Sequence, residues 1–413
     1  MTRSISLLTR VLMLLVISAS VAHAEDLIVD ASGAPGAYPD IGSALAAADL
    51  GDRIQVRPGH YPFFQYYKAV PIIGTGSRPS DVVIDEIAFH ISIPQLDYSA
   101  RLSNVQIGHP QTAGQSAPPL VLYGNENPPG TFVVQGAEIY GGVFLRGGHE
   151  GFYVLFANCH LESAPGQGFT GETFYFGGPG NALDLQGTRI LAANGDPGAS
   201  LAAGVALRIE GGTRARLHGC DIIGGDGLSG GLGLATEGSS DVSLRLDGGT
   251  SISGGTGEAG AGGDGVDVAS GHLAVGSATV FGGHGTPPGS AYAGVSPTAA
   301  PAGVSLQTTP ALRFAENGTW VSSGESVRFE LAAPEGRIAM IGLALDVELP
   351  AGAFVCLDPS TLWTYPGNVL SMRVPQVGTY HPGLSLFAQG GWLDPATGQV
   401  VLTNTAALRV DLH

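Results

Sequence analysis

A six-residue pattern recurs along the middle of the chain. An apolar residue is followed by a polar or small residue, a turn-forming residue that is Gly or Asn in most copies, two further residues and a second apolar residue. The closing apolar residues lie 22 to 32 residues apart, a period typical of stacked supersecondary units. The copies are Leu102–Ile107, Val134–Ile139, Phe156–Leu161, Leu185–Ile190, Leu217–Ile222, Leu246–Ile252 (with one extra residue) and Val275–Val280.

The alternation of apolar and polar positions in these copies predicts short strands that bury one face. No apolar period of about 3.6 residues runs through them, which excludes helical repeats, and the period is too short for a propeller blade of about 40 to 50 residues. Successive strands would pair in parallel, each coil covering its neighbour. Asn and Gly tolerate left-handed backbone, so bends are predicted at Asn104, Gly136, Asn158, Gly187 and Gly219.

The residue after each bend is small, as expected for a side chain that points into a narrow interior. Cys159 and Cys220 occupy this position. Three cysteines are too few for a disulfide framework. We therefore interpret Cys159 and Cys220 as apolar core residues, with a bridge between them as the alternative.

Residues 27–61 predict a cap for one end of the coil. Asp40 is placed to begin a short helix, and an alternating strand and a Pro-Gly turn follow it. A helix at this point would place Ile41, Leu45 and Ala48 on one face. Together with the repeats, this opening resembles the right-handed parallel β-helix family, the pectin lyase-like fold. That family includes lyases, polygalacturonases, epimerases, tailspikes and exported proteins without assigned activity, so the fold alone does not give a function.

The expected fold class is all-β, in three segments. Residues 1–24 have the basic start, short apolar stretch and small-x-small cleavage site of a signal peptide. Residues 25–310 would form the β-helix. Residues 311–413 alternate in strands separated by Pro and Gly turns, which predicts a small antiparallel β-sandwich. We expect a protein exported to the extracellular space or cell surface, without membrane insertion.

The charge balance limits the partners. The chain carries 18 Lys and Arg against 35 Asp and Glu, a net charge of −17, and Lys68 is its only lysine. Nucleic-acid binding requires clustered basic residues. Nucleic acid is therefore not an expected partner.

Two Gly-rich motifs are candidates for chemistry. Gly283-His284-Gly285 is similar to a polygalacturonase motif, but the Asn-Thr-Asp, Asp-Asp and Arg-x-Lys that accompany it in that branch are absent, and hydrolysis needs paired carboxylates. The Gly-Gly-x-Gly pattern also recurs with Asp226, Thr256 and Asp264 at its third position, so we interpret His284 as a turn residue. The segment Gly262–Val268 matches the β-roll calcium repeat. It makes Asp264 and Asp267 candidate calcium ligands, with solvated turn carboxylates as the alternative.

A lyase or epimerase would need a group, often calcium, that neutralises the uronate carboxylate, and a base such as Arg or Lys that removes the C5 proton. Such groups are spread along the sequence, and a groove that brings Asp221, Asp241, Arg216 and Arg245 together would favour an enzyme. Asp184 is a further acidic candidate. The arginines on or near the coils are Arg146, Arg189, Arg208, Arg214, Arg216 and Arg245.

Clustered aromatic residues are candidates for stacking on sugar rings. One cluster follows the first coil, and a second is expected in an insertion between coils, where binding surfaces often form. Packing against the coil wall is the alternative. The candidate binding residues are Tyr61, Phe63, Phe64, Tyr66, Tyr67, Phe174 and Tyr175.

These observations favour a non-catalytic extracellular scaffold or binder of polysaccharide or cell-envelope glycan. The alternative is a polysaccharide lyase, epimerase or glycoside hydrolase that acts on an acidic polysaccharide. No catalytic residue is assigned, and calcium is the one cofactor that the motifs suggest.

Overall fold

The computed structural model describes most of the chain from Glu25 onward, and the predicted signal peptide lies outside the described residues. The described residues are 25–49, 52–68, 70–89, 99–110, 118–124, 130–147, 152–163, 171–195, 203–238, 242–247, 249–269, 271–275, 278–293, 306–307, 312–316, 320–322, 326–331, 337–344, 347–348, 356–357, 363–373, 381–393, 395, 398 and 400–412.

Three long parallel sheets form a β-solenoid, consistent with a right-handed parallel β-helix. Sheet A consists of Asp26–Val29, Arg53–Val56, Ile72–Gly74, Ser99–Ser103, Gly130–Gln135, Phe152–Ala157, Ala182–Gln186, Arg214–His218, Val242–Asp247, Gly271–Val275 and Leu306–Gln307. Sheet B consists of Gly59–Tyr61, Val82–Ile84, Gln106–Ile107, Glu138–Tyr140, His160–Glu162, Arg189–Leu191, Asp221–Ile223, Ser251–Ser253 and Thr279–Phe281. Sheet C consists of Phe64–Tyr66, Ile87–Phe89, Leu120–Gly124, Val143–Gly147, Glu172–Gly177, Val205–Glu210, Leu234–Glu237, Val266–Asp267 and Tyr292–Ala293.

The register of sheet B confirms the repeat. The apolar residue that closes each copy pairs with the corresponding residue of the next copy, and all but the last of these residues are buried in the core. A coil of parallel strands therefore stacks equivalent apolar positions on top of one another. The paired residues run Ile107, Ile139, Leu161, Ile190, Ile222, Ile252 and Val280.

The predicted bends between sheets A and B are also confirmed. Each of the five predicted residues has a left-handed backbone, with φ between 52° and 62°. At Asn104 the side-chain amide donates hydrogen bonds to the carbonyls of Gly74 and Gly76, at 2.9 and 2.8 Å. Asn at this position therefore tolerates the bend and also ties one coil to the preceding coil.

The predicted helix caps the first coil. Helix α1, Ile41–Ala47, begins after Asp40, whose carboxylate accepts a hydrogen bond from the amide of Ser43 at 2.7 Å. The predicted apolar face is confirmed, since Ile41, Leu45 and Ala48 are all buried. A short 3₁₀ turn at Pro79–Asp81 is the other helical element among the described residues.

Glycine-rich loops join sheet B to sheet C in the last coils and pack backbone to backbone. The amide of Gly255 donates to the carbonyl of Gly231 at 2.8 Å, and the amide of Gly283 donates to the carbonyl of Gly263 at 2.7 Å. A Cβ atom on Gly255 would lie 1.9 Å from the carbonyl oxygen of Gly225. These positions are therefore glycine because the backbones touch, and we call this stack the glycine lobe.

Beyond the solenoid the chain forms small sheets that are mostly antiparallel. One sheet pairs Leu312–Glu316, Ser326–Leu331 and Val369–Arg373. A second sheet contains, in order, Trp320–Ser322, Val400–Leu412, His381–Leu393, Ile338–Ala344 and Trp363–Pro366, and a short pair joins Val347–Glu348 to Cys356–Leu357. The strands predicted from alternation are present, and their assembly into a sandwich stays a prediction.

Two further expectations concern single features. Cys159 and Cys220 form no disulfide with each other and are buried, as expected for core residues, and burial raises the pKa of the Cys159 thiol to about 12. In the part of the chain that the structure describes, none of the helices has the length and apolar character needed to cross a membrane.

Candidate functional site

The outer face of sheet A carries a column of charged side chains in register. In the register of the sheet, Asp184 lies opposite Arg216 on the next strand, and Arg216 lies opposite Arg245 on the strand after that. The exposed fractions of these residues are 0%, 3% and 3%. The hydroxyl of Tyr153 donates to Asp184 at 3.4 Å, and a guanidinium nitrogen of Arg216 lies 3.9 Å from the same carboxylate oxygen. We call this set the buried face.

The groove that would have favoured an enzyme is not present in the expected form. Asp221 lies on sheet B, where its carboxylate contacts Arg189 at 3.2 Å, and not beside Arg216. Asp241 lies outside the described residues. The structure thus brings Arg216 and Arg245 together with Asp184, at a place that solvent does not reach.

The outer face of sheet C is apolar and buried at its centre and charged toward its end. Tyr175 stacks on Phe144 with ring centroids 4.8 Å apart, and its hydroxyl donates to Glu210 at 3.0 Å. Arg208 contacts Glu172 at 2.6 Å and Glu237 at 3.0 Å. Most of the carboxylate and guanidinium groups on this face are therefore paired with one another.

The outer face of sheet B is open along neighbouring coils. From the strand Glu138–Tyr140 onward, its inward residues fill the core and its outward residues are half-buried or exposed, because the strands alternate. We call this set the open face, and its members are Glu138, Tyr140, His160, Glu162, Arg189, Leu191, Asp221, Ile223, Ser251, Ser253, Thr279 and Phe281.

Polar contacts on the open face run along and across its strands. His160 lies 3.1 Å from Glu162 on the same strand, and its ring meets the ring of Tyr140 edge to face with centroids 6.1 Å apart. Burial, together with the carboxylates of Glu138 and Glu162, raises the pKa of Tyr140. The phenol therefore stays protonated and keeps its hydrogen-bond donor at neutral pH.

The aromatic residues predicted from sequence are mostly internal. Phe174 and Tyr175 lie in the strand Glu172–Gly177 of sheet C, so the expected insertion is in fact part of the coil. Rings without an exposed face cannot stack on a sugar, and only Phe63 is well exposed, at 48%. Tyr67 is half-buried beside Lys68. The buried members of the predicted set are Tyr61, Phe64, Tyr66, Phe174 and Tyr175.

His284 occupies a turn position of the glycine lobe and is exposed. Its carbonyl accepts a hydrogen bond from the amide of Gly257 at 2.7 Å. In the same way, the carbonyl of Thr256 accepts a hydrogen bond from the amide of Gly227 at 3.0 Å. Asp226, Thr256 and His284 are thus equivalent positions of successive coils. Asp264 is not one of them, because it lies on the return path of its coil, which corrects the expected four-member series.

Asp264 and Asp267 lie close enough to interact, but the described side chains around them do not form a cluster of metal ligands. Burial and then the charge of Asp264 raise the pKa of Asp267. One oxygen of Asp264 accepts from the amide of Ser290 at 2.6 Å. Within the described ranges, neither residue belongs to a group of three or more side chains that could share a metal ion. Calcium binding at this pair stays a prediction.

Sequence reasoning missed one such group at the first coils of sheet B. His60, Asp85 and His109 place their ligand atoms within 4.8 Å of one another. These residues are 25 and 24 positions apart, which is one coil period. The recurrence of polar residues at the coil period was therefore the sequence signal that could have suggested this group.

No protein-family model matches this sequence, and no curated protein matches it at a significant level of similarity.

Proposed function

We propose that the protein is an exported, non-catalytic binding protein whose open face holds a neutral polysaccharide. The observation that carries this proposal is the open face itself. It offers hydroxyl, carboxylate, imidazole and guanidinium groups on neighbouring strands about 4.8 Å apart. An extended polymer can contact such a face repeatedly along the solenoid, whereas a small ligand could not use its length.

The charges on the open face favour a neutral ligand over an acidic one. Arg189 is paired with Asp221, and the carboxylates of Glu138 and Glu162 lie nearby. The chain as a whole has a net charge of −17. A polyanion approaching this face would meet like charge, which costs binding free energy and slows association. Hydroxyl groups of a neutral glycan can accept hydrogen bonds from these side chains and donate hydrogen bonds to them without that cost in binding free energy.

In the described part of sheet A, the cluster of Asp184, Arg216 and Arg245 is buried, which favours binding without turnover. Both catalytic steps considered from sequence require substrate to touch an acid or base. Asp184 and Arg216 are buried within the described structure, so they contribute to the fold and not to chemistry on a polymer.

Affinity electrophoresis in gels containing neutral β-glucan, xylan, pectate or alginate tests this proposal. We expect retardation by a neutral polymer and none by the two acidic polymers. Tyr140→Ala and Arg189→Ala should weaken binding by about tenfold, the loss expected for one good contact of about 1.4 kcal/mol. Arg146→Ala is the matched control, because Arg146 is exposed on sheet C.

A parallel turnover assay on the same polymers separates binding from catalysis. Unsaturated products or new reducing ends would overturn the non-catalytic assignment. Binding that survives Tyr140→Ala and Arg189→Ala but is lost in Arg146→Ala would place the ligand on sheet C instead.

A further inference from the structure

We propose that His60, Asp85 and His109 form a binding site for one Zn²⁺ ion. The three side chains come from three successive coils, within or just after their strands of sheet B, at the end of the solenoid that helix α1 caps. This site is independent of the proposed glycan binding, because the open-face residues tested above begin at Glu138.

The backbone around the three residues is held by the core. His60 lies within the strand Gly59–Tyr61, Asp85 directly follows Val82–Ile84, and His109 lies two residues after Gln106–Ile107. Their inward neighbours Tyr61, Ile84 and Ile107 are buried and in register.

Two backbone hydrogen bonds join these strand ends. The amide of Asp85 donates to the carbonyl of Tyr61 at 3.0 Å, and the amide of Gly108 donates to the carbonyl of Ile84 at 2.8 Å. The side-chain amide of Gln106 also donates to the carbonyl of Gly108 at 2.9 Å. The ligand-bearing positions are therefore fixed relative to one another before any ion arrives.

The side chains already converge on one carboxylate oxygen. The Nε2 atom of His60 lies 2.6 Å from Oδ1 of Asp85, and Nε2 of His109 lies 3.2 Å from the same atom. Two ligand atoms that bind Zn²⁺ tetrahedrally at about 2.0–2.1 Å lie roughly 3.3 Å apart. Binding thus requires the His60–Asp85 contact to open by less than an ångström, and the two imidazole nitrogens, which lie within 4.8 Å of each other, to reach the same separation.

The donor set selects the class of ion. Two imidazoles and a carboxylate suit zinc and its first-row neighbours, whereas calcium and magnesium prefer oxygen donors. Each imidazole must present an unprotonated Nε2 to the metal, which a neutral ring does when its proton is on Nδ1. With three protein ligands, a fourth position is left for water or another ligand.

The site is accessible from solvent. The side chains of His60, Asp85 and His109 are 60%, 40% and 38% exposed. The two imidazole rings meet edge to face with centroids 5.2 Å apart. An ion can therefore enter without displacing any core residue.

Isothermal titration of the tag-free, chelator-treated protein with ZnCl₂ tests the proposal. We expect one Zn²⁺ per chain, and an affinity about 100-fold lower or worse in His60→Ala, His109→Ala and Asp85→Asn, since the loss of groups that only support a ligand already costs 10–100-fold. His160→Ala is the matched control, because His160 lies on the same sheet, 3.1 Å from Glu162, and belongs to no group of three metal-ligating side chains among the described residues. It should leave zinc binding unchanged.

Two readouts keep the result interpretable. Zn²⁺ should raise the melting temperature of the wild type and of His160→Ala but not of the three site variants. Without metal every variant should stay folded and lose at most a few degrees of melting temperature, as for the loss of an exposed ion pair. Three results would contradict the proposed zinc site: no zinc binding by the wild type, zinc binding by the three site variants that is as tight as that of the wild type, or a response to CaCl₂ in place of ZnCl₂. Glycan retardation unchanged by chelator would leave the proposed function standing in each case.

Discussion

The outer faces of sheets A and B show how one coil can use the same residue types for opposite purposes. Asp184 and Arg216 lie on consecutive coils of sheet A and are buried, whereas Arg189 and Asp221 lie on the same two coils of sheet B and are 53% and 46% exposed. Register alone therefore does not assign a role to a carboxylate–arginine pair. Exposure decides whether the pair holds the fold or remains available to a ligand.

The comparison assumes that one rigid solenoid supports both faces, and a substitution in the glycine lobe should destabilise that solenoid. Gly255→Ala would place a Cβ atom 1.9 Å from a backbone oxygen, a clash that only backbone movement can relieve. We expect a loss of more than about 4 kcal/mol in the free energy of unfolding, in the exceptional range for one substitution. Urea denaturation followed by circular dichroism measures it. A loss below about 1 kcal/mol would show that the loops are not packed backbone to backbone.

Removing one carboxylate from each face tests the comparison directly. Asp184→Ala should cost about 3–5 kcal/mol, since it removes the buried carboxylate that lies 3.9 Å from the buried guanidinium group of Arg216. Asp221→Ala should cost at most about 1 kcal/mol, as for an exposed ion pair. Denaturant midpoints at equal m-value give both numbers. Equal costs would mean that exposure does not separate the two faces.

The pKa values of two aspartates outside these pairs provide a further test of how the surroundings of a carboxylate set its role. Burial raises the pKa of Asp85, but hydrogen bonds from His60 and His109 outweigh it, so the pKa lies below 3.8. Burial and Asp264 shift the pKa of Asp267 above the same value.

The signs of the two contributions are opposite. Ionised Asp85 stabilises the fold above its unfolded pKa, and this contribution is lost as the pH falls through its lower folded pKa. Ionised Asp267 is unfavourable in the fold, and the penalty is relieved as the pH falls through its raised pKa. Carboxyl-carbon NMR titration should give midpoints on opposite sides of 3.8. The Asp85 midpoint should rise in a His60→Ala, His109→Ala double variant.

The solenoid could be predicted from sequence because its signals are local. The bend at Asn158 and the small residue Cys159 after it follow from backbone sterics and interior width, and the same pattern repeats in each coil. The N-cap at Asp40 is equally local. These features need no knowledge of which coil lies beside which.

The candidate sites could not be predicted because they depend on register between coils. Coils differ in length by up to ten residues, so the sequence alone does not fix the contact between Asp85 and His60. The repeat aligns Asp184 with Arg216, one residue before Leu185 and Leu217, but it does not show that both are buried. Exposure is also set by what covers each sheet. Phe174 and Tyr175 therefore suggested a binding cluster, whereas both are buried, Phe174 in the core and Tyr175 against Phe144 on the outer face of sheet C.

The smallest expected effect concerns the bend between the two compared sheets. Gly136 has a φ of 55°, and Asn104 and Asn158 adopt 54° and 52° at equivalent positions. A Cβ atom at Gly136 would meet no atom within 4 Å. Gly136→Asn should therefore change the free energy of unfolding by less than about 0.5 kcal/mol, since Asn tolerates left-handed backbone. Gly136→Val is the control and should cost roughly 1–2 kcal/mol, because β-branched side chains resist that conformation. If Asn cost as much as Val, the bends would depend on glycine itself and not on the left-handed conformation that Asn shares.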